Sequence, residues 1–82
     1  MSDSEVIFYT PTESVQWLQK RLSHLNIDTL QNLSTKTGID KGTLSRYFRH
    51  ERRPLIDCIG PLCNALEISP ELLLKVLGAI AK

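Results

Sequence analysis

Long apolar runs, paired cysteines and aromatic side chains are all scarce in this sequence of 82 residues. No stretch approaches the roughly 20 apolar residues of a membrane span, which excludes a membrane-crossing helix. With two cysteines there is no disulfide framework. Cys58 and Cys63 stand five apart, about 140° around a helix, so they share neither a face nor a metal. Neither His24 nor His50 lies at ligand spacing from them, and both thiols read as free and mostly buried in a reducing compartment. Aromatics make up 6% and β-branched residues are scattered while leucine recurs, which favours helices over a sandwich or barrel. The start, Met1-Ser2-Asp3-Ser4-Glu5, carries acid where a secretory signal needs positive charge, so a cytoplasmic protein is expected. Composition is otherwise that of an ordinary globular chain, 41% hydrophobic and 23% charged. The length allows one compact core and no two-lobed active site. Initiator methionine and terminal Lys82 read as a whole small protein.

The net charge of +1 conceals an uneven distribution. Residues 1–13 hold Asp3, Glu5 and Glu13; residues 14–53 hold eight basic against three acidic side chains; residues 54–82 hold two against three. The excess peaks at Arg46, Arg49, Arg52 and Arg53, opposed locally by Glu51 alone. A charge run of this kind is by itself compatible with a solvated face.

Punctuation divides the chain into an extended leader, residues 1–9, and a domain, residues 10–82, of five short helices. Thr10-Pro11-Thr12-Glu13 is a capping box with proline at the first helical position. It opens a helix whose stripe is Val15, Leu18, Leu22 and Leu25, ending before Asn26, with Trp17 to one side. Asp28 or Thr29 caps a second helix, in which Leu30 and Leu33 face inward and Gly38 supplies the left-handed stop. Asp40 caps a third from Lys41 to about Arg49. Two short helices joined through a glycine-containing turn describe a helix-turn-helix.

Beyond Pro54 a fourth segment runs through Ile59, Leu62, Cys63 and Leu66. Gly60-Pro61 either kinks it or makes it begin afresh at Pro61, and the spacing leans to the kink. Ser69-Pro70-Glu71 opens a fifth helix carrying apolar residues through Ile80. Leu73, Leu77 and Ile80 share one face, and Leu72, Val76 and Ala79 form a neighbouring one, which reads as a dimer interface. In the leader, Val6-Ile7-Phe8-Tyr9 is a short strand or a packed arm. Its acidic neighbours exclude an arm that wraps nucleic acid and leave packing on the domain or on a second subunit.

On a wheel of about 100° per residue with Lys41 at the origin, Ser45, Arg49, Gly42 and Arg46 fall within an arc of about 140°. Tyr47, Leu44 and Phe48 fall near 240°, 300° and 340°, so the third helix has an anchored side and a bare basic side. The bare side suits a DNA major groove: Gly42 permits close approach, Lys41 reaches a base or a phosphate, and Arg46 offers two parallel donors to a guanine edge. The helix end at Asp40 offers amides to phosphate. Thr43 either touches a thymine methyl or flanks the core. Arg49, Arg52 and Arg53 grip phosphate without reading sequence. No spacing joins a nucleophile, a base and an orienter, so an enzyme is not expected and no cofactor is implied.

Leu33-Ser34-Thr35-Lys36-Thr37-Gly38-Ile39-Asp40-Lys41-Gly42-Thr43-Leu44-Ser45-Arg46 resembles the helix-turn-helix of the phage-lambda-repressor-like, Cro/repressor (XRE-type) family. The likeness extends over about residues 14–77, through Arg52-Arg53-Pro54 and Ala65-Leu66-Glu67-Ile68-Ser69 with Leu73-Leu74. It implies an all-α, five-helix domain that binds double-stranded operator DNA, commonly as a homodimer, with phosphate contacts that include Gln31 and Ser45. Four positions depart from the pattern. Ser34 replaces an alanine, and Leu30 replaces a glutamine that donates to phosphate, leaving Gln31 adjacent. His50 stands where glycine follows the third helix, at a position that strains any other residue if left-handed, and Gly60-Pro61 lies inside the fourth helix. The competing reading is the same fold used as a protein-interaction module, an adaptor or antitoxin, supported by the apolar surplus of the fifth helix and the leader. A fragment of a longer regulator is a further reading.

Overall fold

The computed structural model describes residues 6–82; Asp3 and Glu5 of the leader lie outside them. Five helices are arranged in the order α1 (Pro11–His24), α2 (Leu30–Thr37), α3 (Lys41–Phe48), α4 (Ile56–Leu66) and α5 (Pro70–Val76). The N-terminal signals act as their chemistry dictates. Thr10 Oγ1 accepts from the Glu13 amide while the Glu13 carboxylate accepts from the Thr10 amide, closing the capping box. The Thr10 amide, with Lys82 assisting, holds the Glu13 carboxyl below its ordinary range. Thr29, rather than Asp28, caps α2, Asp40 caps α3 and Ser69 caps α5.

Each helix stops at a left-handed residue: Asn26, Gly38, His50, Glu67 and Gly78, with φ between 56° and 77°. After α3, the His50 amide donates to the Tyr47 carbonyl at 3.1 Å and the Glu51 amide to the Arg46 carbonyl at 2.8 Å. After α5, Gly78 and Ala79 repeat the pattern on Lys75 and Leu74, at 3.0 and 2.9 Å. This double bond, the Schellman motif, satisfies carbonyls that a helix end leaves orphaned.

The core is leucine-rich. Leu33, Leu44, Leu62, Leu66, Leu73 and Val76 are fully buried, and Tyr47 and Phe48 are 1% exposed. α2 packs on α3 and α4, α4 on α5, and α1 on α3 and α5. Three side chains outside the helices complete it, Ile27 and Ile39 from the turns that bracket α2 and Leu77 from just beyond α5. Ser34 does more than allow close packing, because its hydroxyl donates to the Ile39 carbonyl at 2.6 Å and fixes the α2–α3 turn.

Two open alternatives close and one expectation needs amendment. α4 runs unbroken through Pro61, so the favoured single segment holds and no new helix begins there. Val6–Tyr9 forms no strand; Ile7 accepts one backbone bond from the Lys82 amide at 2.9 Å, and the Lys82 ammonium lies 4.9 Å from the Tyr9 ring centre. α5 ends at Val76 because Gly78 turns left-handed, so Ala79 and Ile80 lie beyond it. The face read as Leu72, Val76 and Ala79 therefore does not exist as an exposed stripe: Val76 is fully buried in the monomer, Leu72 is half-buried against the core, and only Ala79 is exposed.

Glu67 is left-handed without glycine's freedom, a conformation that costs an L-residue roughly 1–2 kcal/mol. Its backbone carbonyl accepts from Arg21 Nη2 at 2.8 Å, a bond that any residue there can make. Replacing Glu67 by glycine is expected to raise the melting temperature by about 4–8 °C, read by calorimetry.

Candidate nucleic-acid interface

The rotation of α3 decides which side chains can meet a partner. Leu44, Tyr47 and Phe48 are sunk in the core. Lys41, Arg46 and Arg49 are exposed, with Gly42, Thr43 and Ser45 half-buried between the two sides. Burial pushes the Tyr47 phenol up, and its hydroxyl meets Cys58 Sγ at 3.5 Å. Burial likewise raises the Cys63 thiol, and the two cysteines are separate, half-buried and unpaired. Among the described residues no three His, Cys, Asp or Glu side chains gather as metal ligands.

The start of α3 is organised around Asp40. One carboxylate oxygen accepts from the Gly42 amide at 2.9 Å and the Thr43 amide at 3.3 Å. The amides expected to meet phosphate are thus already occupied by an anion, which offsets the positive end of the helix dipole. Gly42 has a role here that sequence did not disclose. A Cβ at this position would lie 3.0 Å from the capping oxygen and 3.9 Å from Arg46 Nη1. The bare backbone therefore leaves room for the cap and for the guanidinium beside it.

The remaining cations differ in commitment. Arg49 Nη2 pairs with Glu51 at 3.3 Å, with both side chains about half exposed. Such a surface pair contributes about 0–1 kcal/mol and exchanges readily for a stronger anion. Lys41, Arg46, Arg52 and Arg53 are exposed and make no ion pair with another described residue. Ser45 and Arg49 form one wall of a groove of about 620 Å³, which continues along Val15, Gln19 and Ser23 of α1 to Thr29 and Leu30 at the start of α2. Gln31 is exposed in the first turn of α2. Arg52 and Arg53 border a second, smaller depression with His50 and residues 77–79. Gln19 was missed by sequence reasoning, although its position one residue after Leu18 marks it as a flank of the buried stripe.

Ser14 was also unassigned, and with His50, which the sequence placed only as the residue of the turn after α3, it holds the C-terminal end of that helix. Ser14 is completely buried, and its hydroxyl donates to the Val76 carbonyl. Since a hydroxyl has a single proton, His50 Nε2 must donate to Ser14 Oγ, 2.6 Å away. The imidazole lies so close to Gly78 that a Cβ there would meet its Cε1 at 2.7 Å. Position was the available signal: Ser14 precedes Leu18 and Leu22 by steps of four, as an apolar core residue would. Ser14→Ala is expected to lower stability by about 1–3 kcal/mol in chemical denaturation, since it removes the bridge between two part-buried polar groups.

The sequence profile of the Cro/C1-type HTH DNA-binding domain matches residues 18–77. No curated protein and no solved structure matches the chain.

Proposed function

The chain belongs to the Cro/C1-type HTH DNA-binding domain family, and from that premise we propose that it is a transcriptional regulator reading a specific double-stranded sequence with α3 in the major groove. The observation that carries this reading is the division of α3. Leu44, Tyr47 and Phe48 lock one side in the core, while Lys41, Arg46 and Arg49 stand in solvent on the other. A helix so held presents its donors in a fixed register, as base recognition requires.

Arg46 takes the central role, its guanidinium forking to a guanine edge for roughly 1–3 kcal/mol of discrimination. Lys41 and Thr43 contact neighbouring base edges, and Gly42 lets the helix approach them. Gln31, Ser45, Arg49, Arg52 and Arg53 bind the sugar-phosphate backbone, with Arg49 exchanging Glu51 for phosphate. Residues 1–9 are a leader to the domain at 10–82, and the protein acts in the cytoplasm as a homodimer on a two-fold related site. The family is one of non-enzymatic regulators, and no cofactor enters this reading.

A second reading, a protein-interaction module, draws on the exposed Val6, Ile7 and Phe8, which are 60%, 59% and 44% accessible. Salt separates the two. About five neutralised phosphates give a slope of log affinity against log salt near −4.5, whereas a protein-binding module is indifferent to DNA. Selection of bound duplexes from a random pool tests the assignment of roles. Arg46→Ala is expected to relax preference at one or two base pairs, and Arg52→Ala to weaken all duplexes alike and lower the salt slope by about 1. Identical selected motifs for wild type and Arg46→Ala would remove Arg46 from base reading.

A further inference from the structure

We propose that the groove between α1, the start of α2 and α3 is an effector site for a short apolar peptide with free termini, whose binding excludes DNA. The inference rests on the DNA-binding reading for its consequence and gives that reading a means of regulation.

The groove is built from rigid parts. Its volume of about 620 Å³ falls within the roughly 300–1,000 Å³ of sites that hold small ligands. Leu18, Leu22, Ile27 and Phe48 line it, and each is at most 9% exposed, so the floor is the packed core itself. The turn that closes one end is fixed: Asn26 is left-handed, and the Ile27 amide donates to the Leu22 carbonyl at 2.9 Å. A ligand meets this surface already formed and requires little ordering of the protein.

The polar groups around the floor are uncommitted. Gln19, Ser23 and Ser45 line the groove and make no side-chain hydrogen bond to another described residue, whereas Ser14, Ser34 and Thr37 all do. Asp28 is exposed, leaves the capping of α2 to Thr29, and pairs with no described cation. Arg49 and Val15 also border a neighbouring depression with Pro11 and Thr12, which places them at the end of the groove nearest the start of α1, away from Asp28. The groove thus has an apolar middle, an acidic end, and a basic end whose Arg49 is held only by its exchangeable contact with Glu51.

Charge and length choose the occupant. From Val15 to Asn26 the chain of α1 and its last turn rises about 16 Å, at about 1.5 Å per residue. An extended peptide covers that distance in about five residues at roughly 3.3 Å each. Its ammonium terminus suits Asp28, its carboxylate suits Arg49, and apolar side chains suit the leucine floor between them. A phosphate backbone laid along the same path would meet the Asp28 carboxylate and leave the floor uncovered. Peptide and duplex nevertheless compete, because both draw on Ser45 and Arg49 at the rim.

The test uses the full chain, a library of unblocked tetra- and pentapeptides of leucine, isoleucine, valine and alanine, and the duplex recovered by selection. Library members that bind are expected to shift the amide resonances of Gln19, Ser23 and Ser45 selectively. Asp28→Asn, or acetylation of the peptide amine, should each weaken binding at least roughly threefold. Ser23→Trp, which fills the groove from an exposed position, should abolish it while circular dichroism shows the fold intact. Saturating peptide should weaken wild-type duplex affinity at least roughly tenfold, and the duplex should weaken the peptide by the same factor. Three results would overturn the proposal: no library member binding a protein that still retains its duplex, blocked and unblocked peptides binding alike, or peptide and duplex binding together without loss. Peptide seated in the groove of a protein that retains no duplex would leave the site standing and sink the DNA reading instead.

Discussion

The rotational setting of α3 is the constraint on which the remaining structure depends. A helix of eight residues is too short to persist on its own in water, since nucleation costs more than two turns of hydrogen bonds return. Leu44, Tyr47 and Phe48 lend it permanence by entering the same core as Leu33, Leu62 and Leu73. Burying large side chains at three positions leaves no second rotation in which the core is equally filled. The exposed donors gain their fixed directions from that apolar contact, which lies on the opposite side of the helix from the site.

Helix beginnings were legible because the residues that make them are few and chemically specific. Thr10, Thr29, Asp40 and Ser69 each carry an oxygen two or three bonds from Cα, and each caps as expected. Glycine signalled a helix end correctly only at Gly38, although the ends of α1 before Asn26 and of α3 near Arg49 were also placed to within a residue or two. Asn26, His50 and Glu67 adopt the same left-handed conformation without glycine's signature, held by tertiary contacts of the turns they form. Ile27 illustrates the mechanism: it enters the core directly after left-handed Asn26, so tertiary burial selects a turn that local preference resists, whereas Ile39 enters it after Gly38, which adopts that conformation freely. The overlong reading of α5 has the same origin, because its apolar pattern continues past the point where Gly78 stops the helix.

The site divided along similar lines. Which residues of α3 face outward is set by periodicity, and the exposures of Lys41, Arg46 and Arg49 agree with the wheel. Periodicity does not reveal the bonds those residues already make. The Arg49–Glu51 pair depends on the chain doubling back after His50, and the occupation of the α3 amides depends on the Asp40 rotamer. The first is a geometric fact that composition and spacing do not express, whereas the second follows from reading Asp40 as a cap and conflicts with offering the same amides to phosphate. They also alter the electrostatics: negative charge sits at each end of the basic face, leaving Lys41 and Arg46 as its least encumbered donors.

His50 shows why a strained conformation persists at the far end of that face. A left-handed histidine is disfavoured locally, yet this one places its ring where Nε2 reaches the buried Ser14 hydroxyl and the ring rests on Gly78. Through Ser14 the bond continues to the Val76 carbonyl, so α1, the end of α3 and the end of α5 share one polar junction. Glycine at position 50 would relieve the backbone but abolish the junction, leaving Ser14 with one partner fewer in a fully buried setting. The cost of the turn is offset by interactions that the turn alone makes possible, and the basic loop that starts at Glu51 inherits its direction from them.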